Sequence, residues 1–128
     1  MRKRRMRDRL GAPATVLGPG ARLKGALQGE GHFLIAGEVV GDADVEGGLT
    51  LAEGGRWEGG IRADDVIIAG AFEGELLARG RIEITATARV KGRIAGNGIA
   101  VAAGASIEAD LESLAEGGVH RFEDRRGP

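Results

Sequence analysis

One five-residue pattern organises the chain: apolar, polar, glycine, polar, apolar. Val90-Lys91-Gly92-Arg93-Ile94 shows it most clearly. Other copies are Leu23-Lys24-Gly25-Ala26-Leu27, Val39-Val40-Gly41-Asp42-Ala43, Trp57-Glu58-Gly59-Gly60-Ile61 and Phe72-Glu73-Gly74-Glu75-Leu76, with a worn copy at Ile107-Glu108-Ala109-Asp110-Leu111. The central glycines fall at 25, 41, 59, 74 and 92, with Ala109 in the sixth slot, so the steps are 16, 18, 15, 18 and 17 residues. A repeat this short and regular predicts a solenoid.

Each repeat carries a second apolar run: Phe33-Leu34-Ile35, Leu49-Thr50-Leu51, Val66-Ile67-Ile68, Ile82-Glu83-Ile84 and Ile99-Ala100-Val101. Apolar residues two apart are the mark of a strand with one face buried. Gly-containing corners follow at Ala36-Gly37, Gly54-Gly55, Ala69-Gly70 and Ala103-Gly104. The stretch from 27 to 33 and its equivalents supply a third, less regular side. Thr15-Val16-Leu17 reads as a first strand, ended by Gly18-Pro19-Gly20. A fixed period lets each segment pair with its own copy one turn later, in parallel and in register. The expectation is a three-sided parallel β-helix of about six turns, roughly 25–30 Å long at about 4.8 Å per turn. By alternation the central glycines point inward, making room for apolar groups from the other sides.

The outer columns test this register. Before the glycine stand Lys24, Val40, Glu58, Glu73, Lys91 and Glu108; after it stand Ala26, Asp42, Gly60, Glu75, Arg93 and Asp110. Stacking in register sets Lys91 between Glu73 and Glu108, and Arg93 between Glu75 and Asp110. It also sets Glu58 against Glu73, a like-charge contact beside Arg56.

The charge is unevenly placed. Residues 1–10 hold six Lys/Arg and one Asp, whereas the other 118 residues carry 12 basic and 18 acidic side chains. A basic block without apolar bulk reads as a disordered tail, so the chain divides into a tail and linker (1–14), a repeat domain (15–114) and a polar C-terminal tail (115–128). The acidic body argues against nucleic acid as a partner. The chain has no Cys, which removes disulfides and thiolate metal sites. It has no apolar run long enough to span a bilayer and no signal-peptide core, and nothing here stands against a cytoplasmic location.

The opening Thr15-Val16-Leu17-Gly18-Pro19-Gly20, the recurring Val-x-Gly-x-Ile cores and Gly59-Gly60-Ile61-Arg62-Ala63-Asp64-Asp65-Val66 together resemble the bactofilins, a family of bacterial cytoskeletal proteins. The resemblance covers about residues 15–112. It implies an all-β, right-handed, triangular parallel β-helix with disordered termini, polymerising end to end without nucleotide. It implies a scaffold for cell shape or the envelope, with peptidoglycan-modifying or other envelope proteins as partners. Many members bind the inner face of the cell membrane through a short N-terminal segment with bulky apolar residues; here that segment holds Met1, Met6 and Leu10. The family often has Phe in the slot held here by Ile107.

Candidate sites follow from the fold. A coil of this kind leaves an open apolar cross-section at each end, and no polar cap is visible in the sequence. Val16, Leu17 and Leu23 at one end, and Ile107 and Leu111 at the other, are the expected polymerisation surfaces. Arg2, Lys3, Arg4, Arg5, Arg7 and Arg9 are the expected contacts to an anionic membrane surface. Asp42/Asp44 and Glu73/Glu75 share faces and read as solvated charges, and Asp64-Asp65 reads as corner chemistry. His32 and His120 are the only histidines. Without a second ligand or an activating partner they predict neither metal nor catalysis. No phosphate loop, nucleotide fingerprint or nucleophile elbow is present, so no cofactor is expected. The rival reading is a β-helix acyltransferase of the hexapeptide-repeat type. That needs a strict six-residue period, a protruding loop and a catalytic His, whereas these sides vary and the corners are tight. An ice-binding surface would need a Thr column, which Thr50, Thr85 and Thr87 do not make.

Overall fold

The computed structural model describes residues 14–113 and 119–121, with no helix among them. The strands are β1 (Ala14–Leu17), β2 (Arg22–Lys24), β3 (Leu27–Ile35), β4 (Glu38–Val40), β5 (Ala43–Leu51), β6 (Arg56–Glu58) and β7 (Ile61–Ala63). They continue as β8 (Asp65–Ile68), β9 (Ala71–Ala78), β10 (Arg81–Ile84), β11 (Arg89–Gly96), β12 (Gly98–Val101), β13 (Ser106–Ser113) and β14 (Val119–Arg121). All pair in parallel, and they fall into three ladders. The first runs β1–β3–β5–β8–β10–β12–β14. The second runs β2–β4–β6–β9–β11–β13. The third joins the first halves of β3 and β5, then β7, then the second halves of β9, β11 and β13. The chain visits each ladder once per turn, which makes a parallel β-solenoid of about six turns.

The register follows the sequence period. Arg22 lies opposite Glu38, Glu38 opposite Arg56, Arg56 opposite Ala71, Ala71 opposite Arg89 and Arg89 opposite Ser106. The step varies partly because corners after the first ladder come in two lengths. Longer ones close as tight turns, with the Gly55 amide donating to the Ala52 carbonyl at 2.9 Å and the Ala88 amide to Thr85 at 3.1 Å. In the shorter corners two successive amides share one carbonyl: Ala36 and Gly37 on Leu17, Ala69 and Gly70 on Leu51.

The core is a set of stacked apolar columns. Val39, Trp57, Phe72 and Val90 lie over one another in the second ladder; Phe33, Leu49, Val66, Ile82 and Ile99 do so in the first. All are nearly solvent-free, and no polar or charged residue is buried among the described residues. Trp57 is fully buried, and its indole Nε1 finds no hydrogen-bond acceptor.

The central glycines do not point inward as the alternation predicts. Gly41, Gly59, Gly74 and Gly92 have φ of 147°, 132°, 145° and 117°, in the left-handed region. A Cβ there would lie along the stack and strike the carbonyl of the glycine one turn earlier: Gly25, Gly41, Gly59 and Gly74 in order. The column is glycine because turn meets turn there, not because a neighbouring side chain needs the space.

The charged columns stack as expected: Lys91 lies opposite Glu73 and Glu108, Arg93 opposite Glu75 and Asp110, and Glu58 opposite Glu73. The ion pairs that close among the described residues are others: Arg22–Glu38 at 3.0 Å, Arg62–Asp44 at 3.9 Å and Arg79–Asp64 at 2.6 Å. Arg79 also donates through Nη2 to the Val45 carbonyl at 3.1 Å, and its own carbonyl accepts from Asn97 Nδ2. The hydrogen bond to Asp64 raises the Arg79 pKa above its ordinary value. Asp64 and Asp65 do sit at a corner, where Asp65 Oδ1 accepts the Arg81 amide at 2.9 Å. The expected C-terminal tail departs from expectation at one place: Val119–Arg121 forms β14 on β12. The rest of the segments read as tails, 1–13, 114–118 and 122–128, lie outside the described residues.

Candidate functional site: the open ends of the stack

Among the described residues, at the N-terminal end β1 pairs only with β3, β2 only with β4, and Leu27–Gly31 of β3 only with β5. Among the same residues, at the other end β13 pairs only with β11, and β14 only with β12. Each end of the described solenoid is therefore a strand edge with no further described strand beyond it.

The side chains at these edges are the end members of the core columns. Leu23 heads the column of Val39, Trp57, Phe72 and Val90, and Ile107 ends it. Leu27 heads the column of Ala43, Ile61, Leu76 and Ile94, and Leu111 ends it. The interior members are buried, while Leu17, Leu23, Leu27, Ala105, Ile107, Ala109 and Leu111 are only partly covered. Their exposure comes from the missing next turn, not from a change in residue type.

Four of the five residues expected at the ends are therefore end-column members: Leu17, Leu23, Ile107 and Leu111. Val16 is not. It stands 59% exposed on the outer side of the first ladder, in line with Leu34 and Thr50. Its neighbour Thr15 holds the inward slot, opposite Phe33. Leu27, Ala105 and Ala109 were not among the residues expected from the sequence. The signal for Leu27 was present, since it closes the first pattern copy as Leu111 closes the last. The basic residues Arg2, Lys3, Arg4, Arg5, Arg7 and Arg9 lie outside the described residues.

On the lateral surfaces the polar residues singled out in the sequence make local contacts. His32 is exposed, with Nε2 3.3 Å from the Thr50 hydroxyl. Asp42 accepts the Gly60 amide at 2.8 Å, and Asp44 faces Arg62. Among the described residues no three potential metal ligands cluster. No helix among them is long and apolar enough to cross a membrane.

A family model described as bactofilin, polymer-forming cytoskeletal, matches residues 15–112. The chain belongs to the bactofilin family. This bactofilin is 30% identical over 98 residues to Bactofilin BacO of Myxococcus xanthus (strain DK1622), a match covering 77% of this chain and 78% of the relative. It is 24% identical over 98 residues to Bactofilin BacP of the same organism, covering 77% of this chain and 41% of that longer protein. No solved structure gives a significant match. The matched span begins in β1 and ends in β13.

Proposed function

We propose that this bactofilin is a structural scaffold whose solenoids join end to end into filaments, without nucleotide, and that such filaments support cell shape or envelope organisation at the inner face of the cell membrane. A right-handed, three-sided course of the coil is part of the same reading, as is recruitment of peptidoglycan-modifying or other envelope proteins. The observation that carries it is the continuity of the core columns to both ends. A docked copy supplies the next turn: its strand edge pairs the free amides and carbonyls, and its end residues cover Leu23, Leu27, Ile107 and Leu111. Completing the burial of one such Leu or Ile contributes up to about 1.5–3 kcal/mol.

Ile107→Arg tests the joint. It places a charge in the cross-section of the docked rung while leaving the interior columns untouched. The expected protein is folded by circular dichroism, with a critical concentration for assembly raised at least tenfold to roughly a hundredfold, since about 1.4 kcal/mol is a factor of ten. Ile107→Val should assemble nearly as the parent does. Filaments of normal length and critical concentration from Ile107→Arg in electron micrographs would remove the C-terminal rung from the joint. Among the described residues no geometry favours the acyltransferase alternative, since His32 contacts the Thr50 hydroxyl.

A further inference from the structure

One described strand belongs to no complete turn. From β1 to β13 each of the three ladders gains six rungs. β14 then adds a seventh rung to the first ladder alone, with Val119 opposite Ile99, His120 opposite Ala100 and Arg121 opposite Val101. It departs from the period as well. Along this ladder Phe33, Leu49, Val66, Ile82 and Ile99 follow at 16, 17, 16 and 17 residues, whereas Val119 comes after 20. It also departs from the residue pattern. Leu17, Ile35, Leu51, Ile68, Ile84 and Val101 follow one another in register, and the next residue in that register is Arg121.

We propose that β14 is an internal competitor for the C-terminal joint: it holds the edge of β12 that a strand of the docking copy must take, and it leaves that edge when the joint closes. The proposal deepens the end-to-end reading above and rests on it. Two observations say that β14 is not itself the last rung of the joint. The first is the step. While β14 stays, a copy seated on it is held one rung, about 4.8 Å, off β13. Ile107 and Leu111, which end two of the core columns, then stay partly uncovered. A copy turned by one ladder about the axis meets the step, but it lays unlike strands over one another and breaks the columns. The second observation is Arg121. Any copy seated on β14, turned or not, covers a register position that is buried and aliphatic in the interior turns. Enclosing a charge-bearing residue there costs more than one strand contact returns. With β14 displaced, the copy meets Ile99 and Val101, and apolar residues continue on every ladder.

β14 pairs through three residues on one edge, whereas an arriving copy adds a rung to all three ladders at once. Displacement is therefore favourable once copies are concentrated, and β14 sets the threshold. A site open only part of the time binds as if weakened by that fraction. The critical concentration thus scales inversely with the fraction of chains whose β12 edge is free. An edge free in about one chain in ten raises the threshold about tenfold. The chain carries its own brake on nucleation, released as each joint forms.

Assembly of the full chain against three variants tests this, with critical concentration read by sedimentation and filaments seen by negative-stain microscopy. A chain ending at Ser113 keeps all six turns and lacks β14. His120→Pro keeps the full length. On this ladder the amides of Ala52, Thr85 and Ala102 donate to the preceding turn, and alternation gives the amide at position 120 the same sense. Proline removes that amide and so loosens β14 from β12. Both variants should assemble at a critical concentration about threefold to tenfold below the parent. His120→Val, a better strand former at the same place, should raise it. Hydrogen exchange gives a second readout: the Val119–Arg121 amides should be better protected in monomeric Ile107→Arg than in parent filaments. Critical concentrations unchanged or raised in both the chain ending at Ser113 and His120→Pro would overturn the proposal. A fall in the shortened chain alone would assign the effect to residues other than β14 and overturn it too, as would protection of Val119–Arg121 that rises on assembly. Filaments whose threshold ignores β14 sink this inference and leave the end joint intact; absence of filaments from parent and variants alike sinks both.

Discussion

A left-handed backbone recurs at the central glycine of each of the first five pattern copies, and its cost to any other amino acid has two separable parts. At Gly74 the φ is 145°, and a Cβ would run into the Gly59 carbonyl. At Gly25 the φ is 128°, but among the described residues no turn lies beneath it and a Cβ would meet nothing within 4 Å. Gly25→Ala should therefore lower stability only by backbone strain, about 1–3 kcal/mol. Gly74→Ala adds a backbone clash that only a shift of the ladder relieves, and should cost distinctly more. Urea unfolding of the end-blocked Ile107→Arg background, which avoids assembly, reads both. Equal losses would show that close approach between turns is not what keeps the column glycine. This is also where reading the sequence stopped short. Alternation assigns in and out only while every residue is extended, and it put these glycines inside. A left-handed residue swings its Cβ direction from the in–out axis onto the stacking axis. The pattern shows that glycine is required, and the structure shows that backbone, not side chain, excludes the alternative. Trp57 is a second such case: its slot marks it as core, but nothing in the spacing shows that its indole N–H lacks an acceptor.

Between elements, register is the quantity that sequence determines best. Matching segments recur at 16, 18, 15, 18 and 17 residues, and the second ladder pairs at those offsets. Periodicity carries this because in-register stacking repeats one environment and so repeats one residue class. Contacts that occur once leave no such trace. Arg79 reaches the Val45 carbonyl 34 residues earlier and Asp64 15 residues earlier, clamping three turns, and no repeat announces it. The addition of Val119–Arg121 to β12 is also invisible, since its offset of 20 from Ile99 breaks the period. The register sets two like-charge pairs opposite each other, Glu30 with Glu46 and Glu58 with Glu73, and makes a signed prediction at the second. Glu58 lies opposite Glu73, and Glu73 opposite Lys91. Glu58→Lys converts like charges into an opposite pair and should stabilise the fold by about 0.2–1 kcal/mol, toward the low end because both side chains are exposed. The gain should shrink in about 1 M salt. Destabilisation at low salt in thermal unfolding would mean that these two carboxylates are not neighbours in solution.

At the scale of the whole molecule, the two charge populations decide how the proposed filament would meet an anionic surface. The first ten residues carry six Lys/Arg against one Asp, and the remainder is acidic. An anionic bilayer therefore repels the solenoid and attracts the segment joined to its first turn. Attraction near 1 kcal/mol per Lys/Arg gives one segment roughly 6 kcal/mol at most, a weak hold for a single subunit. A filament presents one segment per subunit on a common body, so attachment by polymer exceeds attachment by monomer without any new contact. Co-sedimentation with phosphatidylserine-containing vesicles separates the contributions. Full-length filaments should pellet with the vesicles at low salt and release as salt rises through about 0.5 M. A variant beginning at Ala12 should polymerise but stay in the supernatant. Ile107→Arg, with its segment intact but its end blocked, should bind measurably less than the filament. If the variant beginning at Ala12 pellets as fully as the parent, the acidic body is finding the membrane by some route other than these six cations. If Ile107→Arg pellets as fully, one segment suffices and multiplicity along the polymer contributes nothing to attachment.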